Sequence, residues 1–170
     1  MFSQAEGLAE TTLSRFAGRR GHYPNKRNSH LRGKLGEIGF AAWLQSHDIE
    51  FEPAFLDVGR LSECDVIVKG RVEHRCEIKT WDETGWDQWG RCVAVAQIGK
   101  LKREADLIVW CTTPKQMAAN IQMNILGWST IEDVENAEKR VTGPAHNQIH
   151  NYQLDQIRPL ADFLAHIVSG

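Results

Sequence analysis

Asp65, Glu77 and Lys79 are the residues whose types and spacing best suit chemistry. They lie in the stretch from Cys64 to Lys79, CDVIVKGRVEHRCEIK, in which two apolar runs, 66–68 and 72–78, flank Lys69-Gly70-Arg71. Apolar runs joined by a short glycine-containing link read as a β-hairpin. Side chains alternate along a strand, so Glu77 and Lys79 share a face, and a turn at Gly70 returns Asp65 opposite them. Two carboxylates and an ammonium on one face of a sheet suit a divalent cation and an activated water. The competing reading is a cross-strand surface ion pair for Glu77 and Lys79, with Asp65 bonding a turn amide at the strand start.

Such a hairpin needs neighbours to hold it. Ser29 is a suitable N-cap for a helix through about residue 46, with Leu31, Leu35, Ile38, Ala42, Phe40 and Leu44 at helical spacing on its core side. Glu37 falls at the rim of that face. Gly33, Gly36 and Gly39 weaken the helix intrinsically, which makes sense if a strand or a nucleic-acid backbone approaches it closely. After the hairpin, 81–90 (WDETGWDQWG) reads as a polar, tryptophan-rich loop, 91–95 as a short strand, and 96–104 as a helix carrying Gln97, Lys100, Lys102 and Arg103. The run 107–111 is apolar on both faces and so reads as a central strand. A weak helix at 4–16, a strand at 49–56 interrupted by Pro53, a strand at 121–128 and a helix opened by Thr130-Ile131-Glu132-Asp133 are also expected. The region after that helix is expected to be loop-rich, with an extended segment at 152–157 and a C-terminal helix at 159–167. His74 reads as exposed.

At 170 residues, with 42% hydrophobic and 25% charged residues, residues 1–170 read as a single domain able to bury its own core. No apolar run approaches the roughly 18 residues that suggest a membrane span. The first residues, MFSQAEGLAETTL, lack the pattern of a secretory signal, so a cytoplasmic location is expected. Cys64, Cys76, Cys92 and Cys111 show no C-x-x-C spacing, which argues against zinc and redox roles and for small buried hydrophobes. The net charge is −2, yet residues 15–34 hold Arg15, Arg19, Arg20, Lys26, Arg27, Arg32 and Lys34 with no acid among them. A solvated arm is one reading of that segment, and a local positive field for phosphates is the other.

Taken in order, Gly36-Glu37 on a helix, Asp65 on a strand, Glu77-Ile78-Lys79 on the next, and Gln97 on a following helix resemble the PD-(D/E)xK nuclease superfamily. That group includes restriction endonucleases, resolvases and phage nucleases. The resemblance covers roughly half the chain, and Cys64 stands where the signature has proline. It implies an α/β, restriction-endonuclease-like fold, a mixed central β-sheet flanked by α-helices. It also implies a Mg²⁺- or Mn²⁺-dependent DNA endonuclease whose catalytic set is Glu37, Asp65, Glu77, Lys79 and Gln97. Asp65, Glu77 and the Ile78 carbonyl would hold the metal, and Glu37 would act through water or on a second metal. Lys79 would orient water and offset phosphate charge, and Gln97 would orient phosphate or nearby loops.

DNA is the expected partner, with Arg19, Arg20, Lys26, Arg27, Arg32, Lys34, Lys100, Lys102 and Arg103 as phosphate contacts, and cutting both strands with one site per chain suggests a homodimer. Trp81, Trp86 and Trp89 either stack unpaired bases or pack their own loop. Two further classes stay open: a non-catalytic nucleic-acid-binding domain of the same fold, and a protein-interaction or inhibitor role.

Overall fold

The structure is a computed structural model that describes residues 2–15, 26–57, 64–118, 121–142 and 149–169. Two helices lead, α1 (Phe2–Arg15) and α2 (Lys26–Ser46). Next come β1 (Phe51–Glu52), a 3₁₀ turn at Ala54–Leu56, β2 (Val66–Lys69), β3 (Glu73–Asp82), α3 (Glu83–Trp89), β4 (Cys92–Ala94), α4 (Val95–Glu104) and β5 (Leu107–Thr113). β6 (Asn124–Thr130), α5 (Ile131–Glu135), β7 (Glu138–Thr142), β8 (Ile149–Gln153), β9 (Arg158–Pro159) and α6 (Ala161–Ser169) complete the described residues. The fold is α/β: a six-stranded mixed sheet, in the order β1-β2-β3-β5-β6-β9, flanked by helices. β3 and β5 run parallel, joined by a crossover through α3, β4 and α4; the other pairs are antiparallel. A smaller sheet, β4-β8-β7, lies beside it.

The expected hairpin is present, with Val66 opposite Cys76 and Lys69 opposite Glu73. β5 is the buried central strand, its seven residues all inaccessible. Its alternation divides two cores. Leu107, Val109 and Cys111 join Leu31, Leu35, Phe40 and Leu44 of α2 and Phe163 and Ile167 of α6. Ile108 and Trp110 join Val93, Leu101, Ile131, Val134 and Leu154 on the other side. The sheet is thus covered on both faces, as a parallel pair requires. Arg75 locks β3 to β5 beyond the ladder: its N–H and Nε donate to Asp106 Oδ2 at 2.8 and 3.1 Å, and Nη2 donates to Oδ1 at 2.8 Å.

Several expectations change in detail. α2 begins at Lys26, so Ser29 lies inside the helix and is not its cap; Arg27, 3.6 Å from Glu6 and 3.3 Å from Glu10, ties this extra turn to α1. Ala42 is exposed, whereas Leu31, Leu35, Ile38, Phe40 and Leu44 are buried. Pro53 ends β1 after two residues, at the sheet edge. The expected tryptophan-rich loop is instead the end of β3 and a short helix, because Asp82 accepts from the Gly85 N–H at 2.7 Å and caps α3. Thr130 and Asp133 form the expected capping box, but α5 is short. The expected loop after it contains β7, whose sequence EKRVT lacks apolar alternation. His74 is buried and not exposed, because its even-numbered position on β3 faces the core, where its ring meets that of His166 on α6 at 5.3 Å. The four cysteines are free and buried; burial pushes Cys64 and Cys92 up to about 11 and Cys111 to about 12. Among the described residues no helix is long and apolar enough to cross a membrane.

Candidate active site

Asp65 immediately precedes β2 and, continuing the ladder register, stands opposite Glu77. Its main-chain N–H donates to the Cys76 carbonyl at 3.0 Å, and its Oδ2 accepts the Ile78 N–H at 2.7 Å. The expected turn-amide alternative is therefore replaced by a bond across the two strands. On β3, Lys79 Nζ is 2.6 Å from Glu77 Oε1, an ion pair along one strand with both side chains about one-fifth exposed. The odd-numbered face of β3 carries Arg75, Glu77 and Lys79, and the even-numbered face carries Cys76, Ile78 and Thr80 toward α2.

Glu37 reaches this neighbourhood because α2 lies unusually close to β3. A Cβ on Gly36 would fall 1.9 Å from Thr80 Oγ1 and 3.3 Å from Ile78 Cγ2, so any larger residue would have to push Thr80 aside. Gly39 is likewise filled, its missing Cβ position lying 2.0 Å from Met123 Cε, whereas nothing lies within 4 Å of a Cβ on Gly33. Two of the three helix glycines thus answer to close contact from within the protein. Glu37 is consequently buried and is paired with Lys34, whose Nζ lies 2.6 Å from Oε2. Burial pushes the Glu37 carboxyl up to about 6; Lys34 opposes that rise and Glu77 adds to it. Asp65 is held well above the usual carboxylate range, first by desolvation, then by the charges of Glu37 and Glu77, while the Ile78 N–H and Lys79 pull it down. The three acids therefore form one electrostatic unit.

That unit has the donor chemistry of a hard divalent cation: carboxylate oxygens whose mutual repulsion a cation would relieve. Among the described residues no three His, Cys, Asp or Glu side chains close into a ready-made cage. Lys34 and Lys79 instead neutralise the two glutamates. Lys34, expected to meet phosphate, is thus part of the acidic cluster, and nothing in its sequence spacing beyond the i, i+3 relation to Glu37 signals this.

The remaining expected residues are more dispersed. Gln97 is exposed in the first turn of α4. Arg19 and Arg20 lie outside the described residues, as does the Lys26 side chain. Arg32 bridges α2 to the ends of β3 and β5, donating to Thr113 Oγ1 at 2.9 Å and lying 3.6 Å from Asp82. Lys100 lies 3.2 Å from Glu104, and Lys102 lies 2.8 Å from Glu135. Arg27, Arg32, Lys34, Lys100 and Lys102 thus each have an acidic neighbour, whereas Arg103 Nη1 donates to the Gly99 carbonyl at 2.6 Å.

No family model, curated protein or solved structure matches this chain.

Proposed function

We propose that this chain is a metal-dependent deoxyribonuclease of PD-(D/E)xK type that hydrolyses DNA phosphodiester bonds. The observation that carries the reading is the convergence of Asp65, Glu77 and Lys79 at the open end of one hairpin, with Glu37 pressed toward them by the Gly36–Thr80 contact. Packing alone gives no reason to set three mutually repelling carboxylates together, since burial and like charge both act against it.

Asp65, Glu77 and the Ile78 carbonyl would hold a Mg²⁺ or Mn²⁺ ion, with Glu37 beside them. When bound, such an ion supplies Lewis-acid polarisation of the phosphate and lowers the pKa of water. Lys79, released from Glu77, offsets the charge that builds on the phosphate and orients the attacking water. The Asp65–Ile78 bond fixes the acid against the strand, so little reorganisation is left for the reacting state. Residues 15–34 and α4 would bring cations to the DNA backbone, contacts that position without reading sequence.

The second reading is a non-catalytic nucleic-acid-binding domain, favoured by the two glutamates already being satisfied by lysines. Incubation with supercoiled plasmid, linear duplex, single strands and a four-way junction, in Mg²⁺, Mn²⁺ or EDTA, separates the two. Divalent-dependent cleavage of one or more substrates is expected. Salt-sensitive binding of all of them with no cleavage would establish the second reading instead.

A further inference from the structure

On the same face of the sheet as Lys79, the β5 residue paired with it is Trp110, and against Trp110 packs Trp86 of α3, with ring centroids 6.1 Å apart. Beyond Trp86 opens a cleft of about 290 Å³ between α3 and the β7–β8 hairpin. Its lining includes Trp86, Trp89, Arg91, Arg140 and Gln153. Its contents are unusual for simple packing. Trp89 is only partly buried and has no aromatic or cationic ring partner among the described residues. The Arg91 guanidinium lies over Trp86 at 5.7 Å, yet its Nε is buried with no hydrogen-bond partner. A buried donor left unpaired costs free energy unless a ligand supplies an acceptor.

We propose that this cleft holds the base of an unpaired nucleotide flanking the phosphate at Lys79, so that the substrate is single-stranded or splayed DNA. The proposal rests on the nuclease reading for its cutting site, but the cleft's chemistry stands by itself. An indole face beside the guanidinium of Arg91, whose Nε is unpaired, suits a flat, π-faced group with acceptors on its edge, which describes a nucleobase. A small anion would use Arg91 and leave the indole wet. An aliphatic ligand would use the indole and bury Arg91 Nε against hydrocarbon, a costly arrangement. A base within a duplex is stacked and cannot enter a cleft without being unstacked, so the site discriminates by strand state. Trp110 and Trp86 stand in turn between Lys79 and the cleft, which places the bound base on a nucleotide flanking the scissile position.

The test uses the full chain in EDTA and measures fluorescence anisotropy of labelled DNA. The probes are a short oligodeoxythymidylate, an abasic oligomer of the same length and a blunt duplex. The oligodeoxythymidylate should bind about tenfold or more tightly than the abasic oligomer, given the usual strength of base–aromatic stacking. Trp89→Ala should remove that advantage while leaving abasic binding unchanged, Trp89→Phe should keep most of it, and Arg91→Gln should reduce it. Equal binding of thymidylate and abasic oligomers, equal losses on both in Trp89→Ala, or tighter binding of the duplex would overturn the proposal. If Trp89→Ala fails to fold, Trp89→Phe and Arg91→Gln still decide it, since an unchanged base preference in Arg91→Gln together with its loss in Trp89→Phe would contradict stacking. Failure of the nuclease reading looks different: base-dependent binding persists in EDTA while added divalent ion produces no cleavage.

Discussion

Gly33→Ala and Gly36→Ala place the same methyl on the same helix three residues apart, and the structure assigns them opposite outcomes. In a helix interior alanine is more favourable than glycine by about 1 kcal/mol. At Gly33 nothing lies within 4 Å of the added Cβ, so Gly33→Ala should stabilise the protein by about that amount. At Gly36 the new Cβ meets Thr80 Oγ1 at 1.9 Å and Thr80 Cβ at 3.1 Å. Rotating Thr80 about χ1 moves its hydroxyl but leaves its Cβ in contact. Overpacking of this kind costs about 1–3 kcal/mol, which cancels or exceeds the propensity gain. Gly36→Ala should therefore be less stable than Gly33→Ala by about 1–3 kcal/mol in urea denaturation with unchanged slope. A double-mutant cycle with Thr80→Gly, which removes both the hydroxyl and the Cβ that the new methyl meets, should show coupling of about 1 kcal/mol or more. Equal stabilisation by both glycine replacements would refute the claim that α2 is held against β3 at this point, and with it the account of how Glu37 reaches the site.

Further outcomes follow from the charges. Lys34→Met removes the ammonium that competes for Glu37, a charge-assisted bond worth about 1.5–3 kcal/mol, so Mn²⁺ should bind about ten- to hundredfold more tightly by calorimetry at pH 8. Unchanged or weaker Mn²⁺ binding would show that Lys34 does not guard the site. Asp65→Asn keeps an oxygen for the Ile78 N–H but discards a charge that burial and two neighbouring acids oppose, so its melting temperature in EDTA should rise above wild type; a fall would contradict the electrostatic reading. Burial works against Asp106 and Asp133, but the hydrogen bonds and charges of Arg75, and of Arg158 with Thr130, hold both below the ordinary carboxylate range. A depressed folded pKa stabilises above the unfolded value and is lost as acid is added, so the advantage of wild type over Asp106→Asn should shrink as pH falls below about 4. A constant difference down to pH 2 would exclude that pair from acid unfolding.

The residues of the hairpin were legible because a strand has a fixed period: once 66–68 and 72–78 are strands, Asp65, Glu77 and Lys79 must meet. The buried strand at 107–111 declared itself by being apolar on both faces, and the structure carries it on through Thr113. Glu37 was legible only as a rim position, since its burial depends on the Gly36–Thr80 approach, a fact about two distant segments. His74 misled because its neighbours in sequence are Glu73 and Arg75, while its burial depends on packing against the C-terminal helix. β7 was invisible because an exposed strand built from Glu, Lys, Arg, Val and Thr has no apolar face to betray its period. The pairing of Lys34 with Glu37 was open to an i, i+3 reading, but the dense run of cations around it made phosphate the more natural partner. The cleft beside Trp86 needed three segments, the tryptophan helix, Arg91 and the small sheet, which only the fold brings together.

Whether Asp65, Glu77 and Lys79 form a metal-dependent phosphodiester-cleaving site is decided by single-turnover cleavage of the substrate that the wild-type chain cuts in Mn²⁺. Cleavage should stop in EDTA, and Asp65→Ala, Glu77→Ala and Lys79→Ala should each slow it by about a hundredfold or more, as loss of a group stabilising charge at the reacting centre does, while DNA binding persists. Cleavage that survives EDTA, or that proceeds at the wild-type rate in Asp65→Ala and Lys79→Ala, would contradict such a site.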